Sequence, residues 1–175
     1  MKQYLLCAII GILCLVSVAR ADEESVSSQY PIISAYIYNF TQFTTWPSDA
    51  VKDTFTVCVL GRDPFGTYLD PLKSRAVNNK KIVIRRYGRY VSAVSACNVL
   101  FVADSERADV ETIVTELKGV PVLTMSDIDG FVDRGGMVEF GKKDLKIGIK
   151  IGLKSVQDAG IAISSKLLRI ADTGE

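Results

Sequence analysis

The amino-acid sequence predicts an α/β fold, with a mixed, mostly parallel sheet and an antiparallel edge at its C-terminal end. Three observations carry that expectation. Short apolar, β-branched runs recur between residues 55 and 127 with helical segments among them, and such β-α-β order favours a parallel sheet with crossover connections. The runs are apolar nearly throughout, as strands covered on both faces are. After residue 136 the pattern becomes alternating: Val138 and Phe140 flank Glu139, and Ile147, Ile149 and Ile151 are spaced by polar or glycine positions. That is the pattern of a closing hairpin.

In chain order, a helix is expected from a cap at Ser28 to about Trp46, with Pro31 tolerated in its first turn. Tyr30, Ile33, Ile37, Phe40 and Thr44 recur at helical spacing, and Tyr36 and Phe43 widen the stripe. Pro47 disfavours helical backbone at the residue before it and so ends the helix near Trp46. FTVCVLG (55–61) reads as the first strand. RDPFGTYLDPLKSRAV reads as a loop and an imperfect helix disturbed by Pro71. KKIVIRRY (80–87) and ACNVLFVAD (96–104) supply the next two strands. RADVETIVTELKG (107–119) is a helix whose apolar face is Val110, Ile113, Val114 and Leu117, with Gly119 at its stop. VPVLTMSD (120–127) is the fourth strand; GMVEFGKK (136–143) and LKIGIKIGL (145–153) form the hairpin. The tail is helical in two pieces, 155–159 and KLLRIA behind a cap at Ser164 or Ser165, separated by Gly160.

The N-terminus has the layout of a secretory signal: Lys2, an apolar stretch from Leu5 to Val18, and Ala19-Arg20-Ala21 before an acidic start. The apolar stretch is short of the roughly 20 residues that span a bilayer, so cleavage after Ala21 is expected, leaving residues 22–175 as one domain in the periplasm. Neither Cys7 nor Cys14 follows a small residue, which argues against a lipidated cysteine. Removing Lys2 and Arg20 takes the 21 basic residues to 19 against 20 acidic ones, a net of −1. That balance gives no general attraction to nucleic acid or anionic lipid. Cys58 and Cys97 remain, and one intramolecular pairing is open to them; an oxidising compartment favours it. The alternative is two buried free thiols. The chain has no histidine, which removes Ser-His-Asp and Cys-His catalysis and histidine metal sites. No catalytic residues, metal or cofactor are therefore expected.

The aromatic helix ending in Trp46-Pro47, VCVLGRDPFG (57–66), CNVLFVADS (97–105), VLTMSD (122–127), GFVDRGGMVEF (130–140) and AGIAISSKLLRIA (159–171) together resemble the YfiR family of small exported proteins, over nearly the whole mature chain. The resemblance implies a Rossmann-like α/β sandwich, commonly dimeric, with Cys58 and Cys97 matching a family disulfide. It also implies a role as a periplasmic repressor, which binds the sensor domain of a membrane-bound diguanylate cyclase and restrains cyclic di-GMP and biofilm formation. The chain lacks the second cysteine pair that the best-known regulators carry near the segment corresponding to 130–142. It has Gly152 where many members have asparagine.

Several segments compete as sites. GRDPFG (61–66) follows the first strand, where open α/β sheets bind ligands, but it is neither G-x-G-x-x-G nor a P-loop; a tight turn is the plainer reading. Lys80, Lys81, Arg85, Arg86 and Arg89 form the basic cluster; with Arg62, Arg85 and Arg86 are candidates for an anionic ligand, against the plainer reading of charges protecting an edge strand. Asp127, Asp129, Asp133 and Glu139 crowd one loop without completing an EF-hand. Phe131 and Arg134 stand beside Gly135-Gly136 as partner-binding candidates, against a hairpin loop tucking Phe131 into the core. A helix apolar around more than half its girth must bury two faces. Trp46 is expected to plug the core, while Tyr36 and Phe43 are candidates for a partner or homodimer face. The leading expectation is a non-enzymatic regulator; a small-ligand receptor is the alternative, and nothing in the sequence assembles a carboxylate enzyme.

Overall fold

The computed structural model describes residues 29–143, 146–169 and 171, except the side chains of 142 and 143. The expected signal segment, its cleavage site and the Ser28 cap lie outside the described residues. Helix α1 (Tyr30–Phe43) starts behind Gln29 with Pro31 in its first turn. It ends before Trp46. Thr44–Thr45 turn into a short strand, β1, paired antiparallel with Ala162–Ile163 near the C-terminus, and the Ser164 amide donates to the Phe43 carbonyl at 2.9 Å. Branched threonines fit extended backbone, and the pairing with the tail decides the boundary before Pro47 can.

The main sheet has seven strands. In spatial order they are β3 (Ala76–Val77), β4 (Lys80–Tyr87), β2 (Thr54–Leu60), β5 (Val99–Val102), β6 (Leu123–Ser126), β7 (Val138–Lys143) and β8 (Lys146–Ile151). β4, β2, β5, β6 and β7 are parallel; β8 adds the expected antiparallel edge. The opposite edge is antiparallel too, because β3 folds back on β4. Its two-residue turn is Asn78-Asn79, both with positive φ, 48° and 64°. Asparagine tolerates that region better than most residues and favours such hairpins. The fold class is thus as the sequence led one to expect, with this added edge. Chain order reverses between β2 and β5, which is the switch point of the sheet.

Strand alternation sorts the interior into two layers. Phe55, Val57, Val59, Phe101, Met125 and Phe140 face α1 and meet its Ile33, Ile37 and Phe40. Cys58, Leu60, Leu100 and Val102 face the other way and meet Val110 and Ile113 of α2 (Val110–Glu116). A 3-10 helix, Asp104–Asp109, takes the first turn expected of α2. Another, Gly66–Ser74, carries Pro71 inside it, as befits the imperfect helix read there. The tail holds α3 (Leu153–Asp158), β9 (Ala162–Ile163) and α4 (Ser165–Leu168). Ser164 takes the cap position of α4 with extended backbone, but its side chain makes no capping hydrogen bond.

Candidate functional site

Helix α1 presents its second face to the outside. Ile32 is 50 % exposed, one of two large apolar side chains so open among the described residues. Ile32, Tyr36 and Phe43 follow one side of the helix at i, i+4 and i+11. Tyr36 and Phe43 are half-buried. The Tyr36 ring leans on Phe140 at 6.1 Å between centroids, and the Lys166 ammonium sits 4.6 Å from the Phe43 ring. Ile32 and the exposed parts of Tyr36 and Phe43 give this side of the helix an apolar strip, with Lys166 at its Phe43 end. Ile32 was missed in the sequence reading; its signal was its position four residues before Tyr36.

Trp46 is buried, as expected. It stacks edge-on against Phe55 at 4.9 Å, and its indole N–H donates to the Asn98 carbonyl at 3.1 Å. Asn98 is the hub of this region. Its side-chain oxygen accepts from the Thr56 amide at 2.8 Å, and its amide nitrogen donates to the Ala50 carbonyl at 2.9 Å. Next to it Cys97 is bonded to Cys58, across 6.1 Å between Cα atoms. Disulfide and hub together lock the chain after α1, β2 and the start of β5 into one block. The cysteines were legible from their number; the role of Asn98 was not, because amide hydrogen bonds across 42 and 48 residues leave no sequence pattern.

Residues 130–135 lie on the α2 side of the sheet, away from the α1 strip, while Met137 joins the α1-side core. Phe131 is fully buried with Ile113 and Ile128. Gly136 makes this possible, since any Cβ there would collide with the Phe131 ring. The Arg134 guanidinium donates to the carbonyls of Gly130, Arg107 and Asp129 at 3.3, 3.1 and 3.4 Å. Glu139 accepts from the amides of Gly130 and Val132 at 3.2 and 3.0 Å. These groups staple the loop. Phe131 is thereby a core residue rather than an outward contact, and the four expected partner residues do not form one surface. A Cβ at Gly152 would come within 2.8 Å of the Gly136 carbonyl oxygen, so close packing here suits glycine.

The basic candidates also separate. Arg86 donates to Asp63 at 2.6 Å and to the Gly66 carbonyl at 2.8 Å, bracing the GRDPFG loop. Arg85 points to the opposite face of β4, by strand alternation, and lines a groove beside the disulfide. Arg62 is exposed beyond the end of β2, where its backbone amide donates to the Ser105 hydroxyl oxygen at 2.8 Å. The three do not converge.

The acidic residues disperse as well. Asp133 pairs with Lys150 at 2.6 Å, and Asp104 with Arg107 at 2.6 Å. Asp127 accepts from the Tyr30 hydroxyl at 2.7 Å and from Gln29 at 3.2 Å. Burial raises its pKa above the ordinary 3.8, against the lowering effect of the Tyr30 hydrogen bond. Burial and the adjacent Asp127 also raise the Tyr30 hydroxyl. Among the described residues no three Cys, Asp or Glu side chains gather as a metal site would require.

No curated protein matches the chain. Among solved structures, it is similar to a conserved domain protein from Vibrio cholerae O1 biovar El Tor str. N16961, with a TM-score of 0.55 and 11 % identity. The match covers 79 % of this chain and 58 % of that one, so the chain spans less than two thirds of its length. At that identity the likeness is one of fold. The family model described as YfiR/HmsC-like matches residues 30–172. With its fold, its disulfide and that match over most of its length, the chain belongs to the YfiR/HmsC-like family.

Proposed function

We propose that this protein is an exported periplasmic regulator. It binds the periplasmic sensor domain of a membrane-bound diguanylate cyclase, or a related sensor, and holds it inactive, which lowers cyclic di-GMP. Family membership supports the regulatory role. The observation that carries the binding mode is the outer strip of α1, where Ile32 is half exposed and Tyr36 and Phe43 are partly exposed. Interface energy concentrates in a few aromatic or arginine anchors, each worth about 2 kcal/mol or more on truncation. Tyr36 and Phe43 are such anchors here, and a homodimer would compete for the same strip. No described helix is long and apolar enough to cross a membrane; in this reading the membrane connection is the partner's.

Deleting the gene should raise cyclic di-GMP, and the rise should disappear when the partner cyclase is deleted as well. Unchanged cyclic di-GMP in the single deletion, with the cyclase expressed, would reject repression. Tyr36→Ala and Phe43→Ala should keep the fold and lose repression. If both bind the sensor domain with wild-type affinity, the interface is elsewhere.

A further inference from the structure

The groove beside the disulfide has a cavity volume of about 500 Å3, within the roughly 300–1,000 Å3 typical of small-molecule sites. It exists because α2 and the 3-10 turn Ser92–Ala96 cover the central strands but leave one face of β4 open. Its lining includes Thr54 and Thr56 of β2, Arg85 and Tyr87 of β4, and Cys97 itself. The charged lining residues are Lys52, Arg85 and Asp49, a net positive set. No residue of the GRDPFG loop lines it.

Two features distinguish this groove from an ordinary surface furrow. Its wall is rigid: the disulfide anchors Cys97, and Asn98 is held on three sides by Trp46, Thr56 and Ala50. Its cations are uncommitted: among the described residues neither Lys52 nor Arg85 makes an ion pair or side-chain hydrogen bond, whereas the neighbouring Arg86 is held by Asp63. A strand-borne guanidinium that lines a groove together with threonines suits the oxygens of a carboxylate or phosphate. We infer that the groove is a binding site for a small organic anion, its carboxylate or phosphate head held by Arg85 and Lys52 and its body lying along Thr54, Thr56 and Tyr87. This site is separate from the α1 strip and stands whether or not that strip binds a sensor.

The test is amide chemical-shift titration of the isotopically labelled, exported protein, with succinate and with inorganic phosphate at constant ionic strength. Saturable shifts confined to residues 52–56, 85–87 and 93–98 are expected, and the stronger of the two probes identifies the preferred head group. Arg85→Gln should weaken that binding by about tenfold, the weight of one charge-assisted hydrogen bond. Arg89→Gln, a cation of the same cluster outside the groove, should change it by less than about twofold. Non-saturating shifts with both probes overturn the inference. So does equal weakening by the two variants, since that would be a general effect of charge. Because Arg85 is exposed, its variant should keep the wild-type spectrum away from the groove.

Discussion

The two sides of the sheet solve different problems. On the α1 side, one long amphipathic helix brings Ile33, Ile37 and Phe40 against a wide aromatic layer. The area buried is large, and aromatic side chains remain for an outer strip. On the α2 side the helix has only seven residues. There the cover is assembled from pieces: a 3-10 turn held by the disulfide, a short helix, and a loop stapled by Arg134 and Glu139. Leu69 and Leu72 of the 3-10 helix Gly66–Ser74 and Val156 and Leu167 of the tail join the α1-side layer, but a side led by one long helix can spare residues for a partner. A side built from pieces needs covalent and polar ties, and its gaps become grooves.

The comparison breaks most visibly at Phe131. Phe131→Ala should cost about 3–5 kcal/mol, as for other buried phenylalanines, whereas Phe43→Ala should cost less, about 1–2 kcal/mol, because Phe43 is only partly buried. Denaturant unfolding of both variants reads the contrast; equal costs would mean that α1 has no spare face. The next largest effect belongs to the disulfide. Cys97→Ser should lower stability by roughly 2–5 kcal/mol, seen as a shifted denaturation midpoint without reductant. Non-reducing peptide mapping that finds Cys58 and Cys97 unpaired in periplasmic material would remove the tie from the account.

A smaller effect sharpens the polar side of the comparison. Asp127 has a raised pKa in the folded state because burial penalises its charge. Ionised Asp127 therefore weakens the fold at neutral pH, and protonation relieves the penalty. As pH falls from above the folded pKa towards the unfolded value near 3.8, the wild type should gain stability relative to Asp127→Asn. Above the folded pKa the difference should be constant. Melting temperatures of the two proteins that run parallel through that window would show that the carboxyl titrates normally.

Much of this could be read from the chain because it is local. Runs such as VCVL and VLFV announce buried strands through their own composition, and the α2 segment shows its face through spacing alone. The disulfide needed only a count of cysteines and a compartment. Alternation along KKIVIRRY also separates Arg85 from Arg86, although treating the basic residues as one cluster hid it. Other features depend on segments far apart in the chain. Thr44 and Thr45 leave the helix because Ala162 and Ile163 arrive beside them.

By itself, then, the sequence determined the identities of the main strands and helices, the parallel sense of the central sheet and the pairing available to Cys58 and Cys97. Those follow from hydrophobic periodicity, β-branching and elimination, which act within a few residues. Only the tertiary structure decided that Phe131 turns inward where Gly136 leaves it room, that Arg134 caps carbonyls instead of facing a partner, and that Lys52 and Arg85 meet over one groove. Whether an aromatic ring or a cation is spare depends on how much surface its neighbours cover, and that coverage is a property of the packed layers.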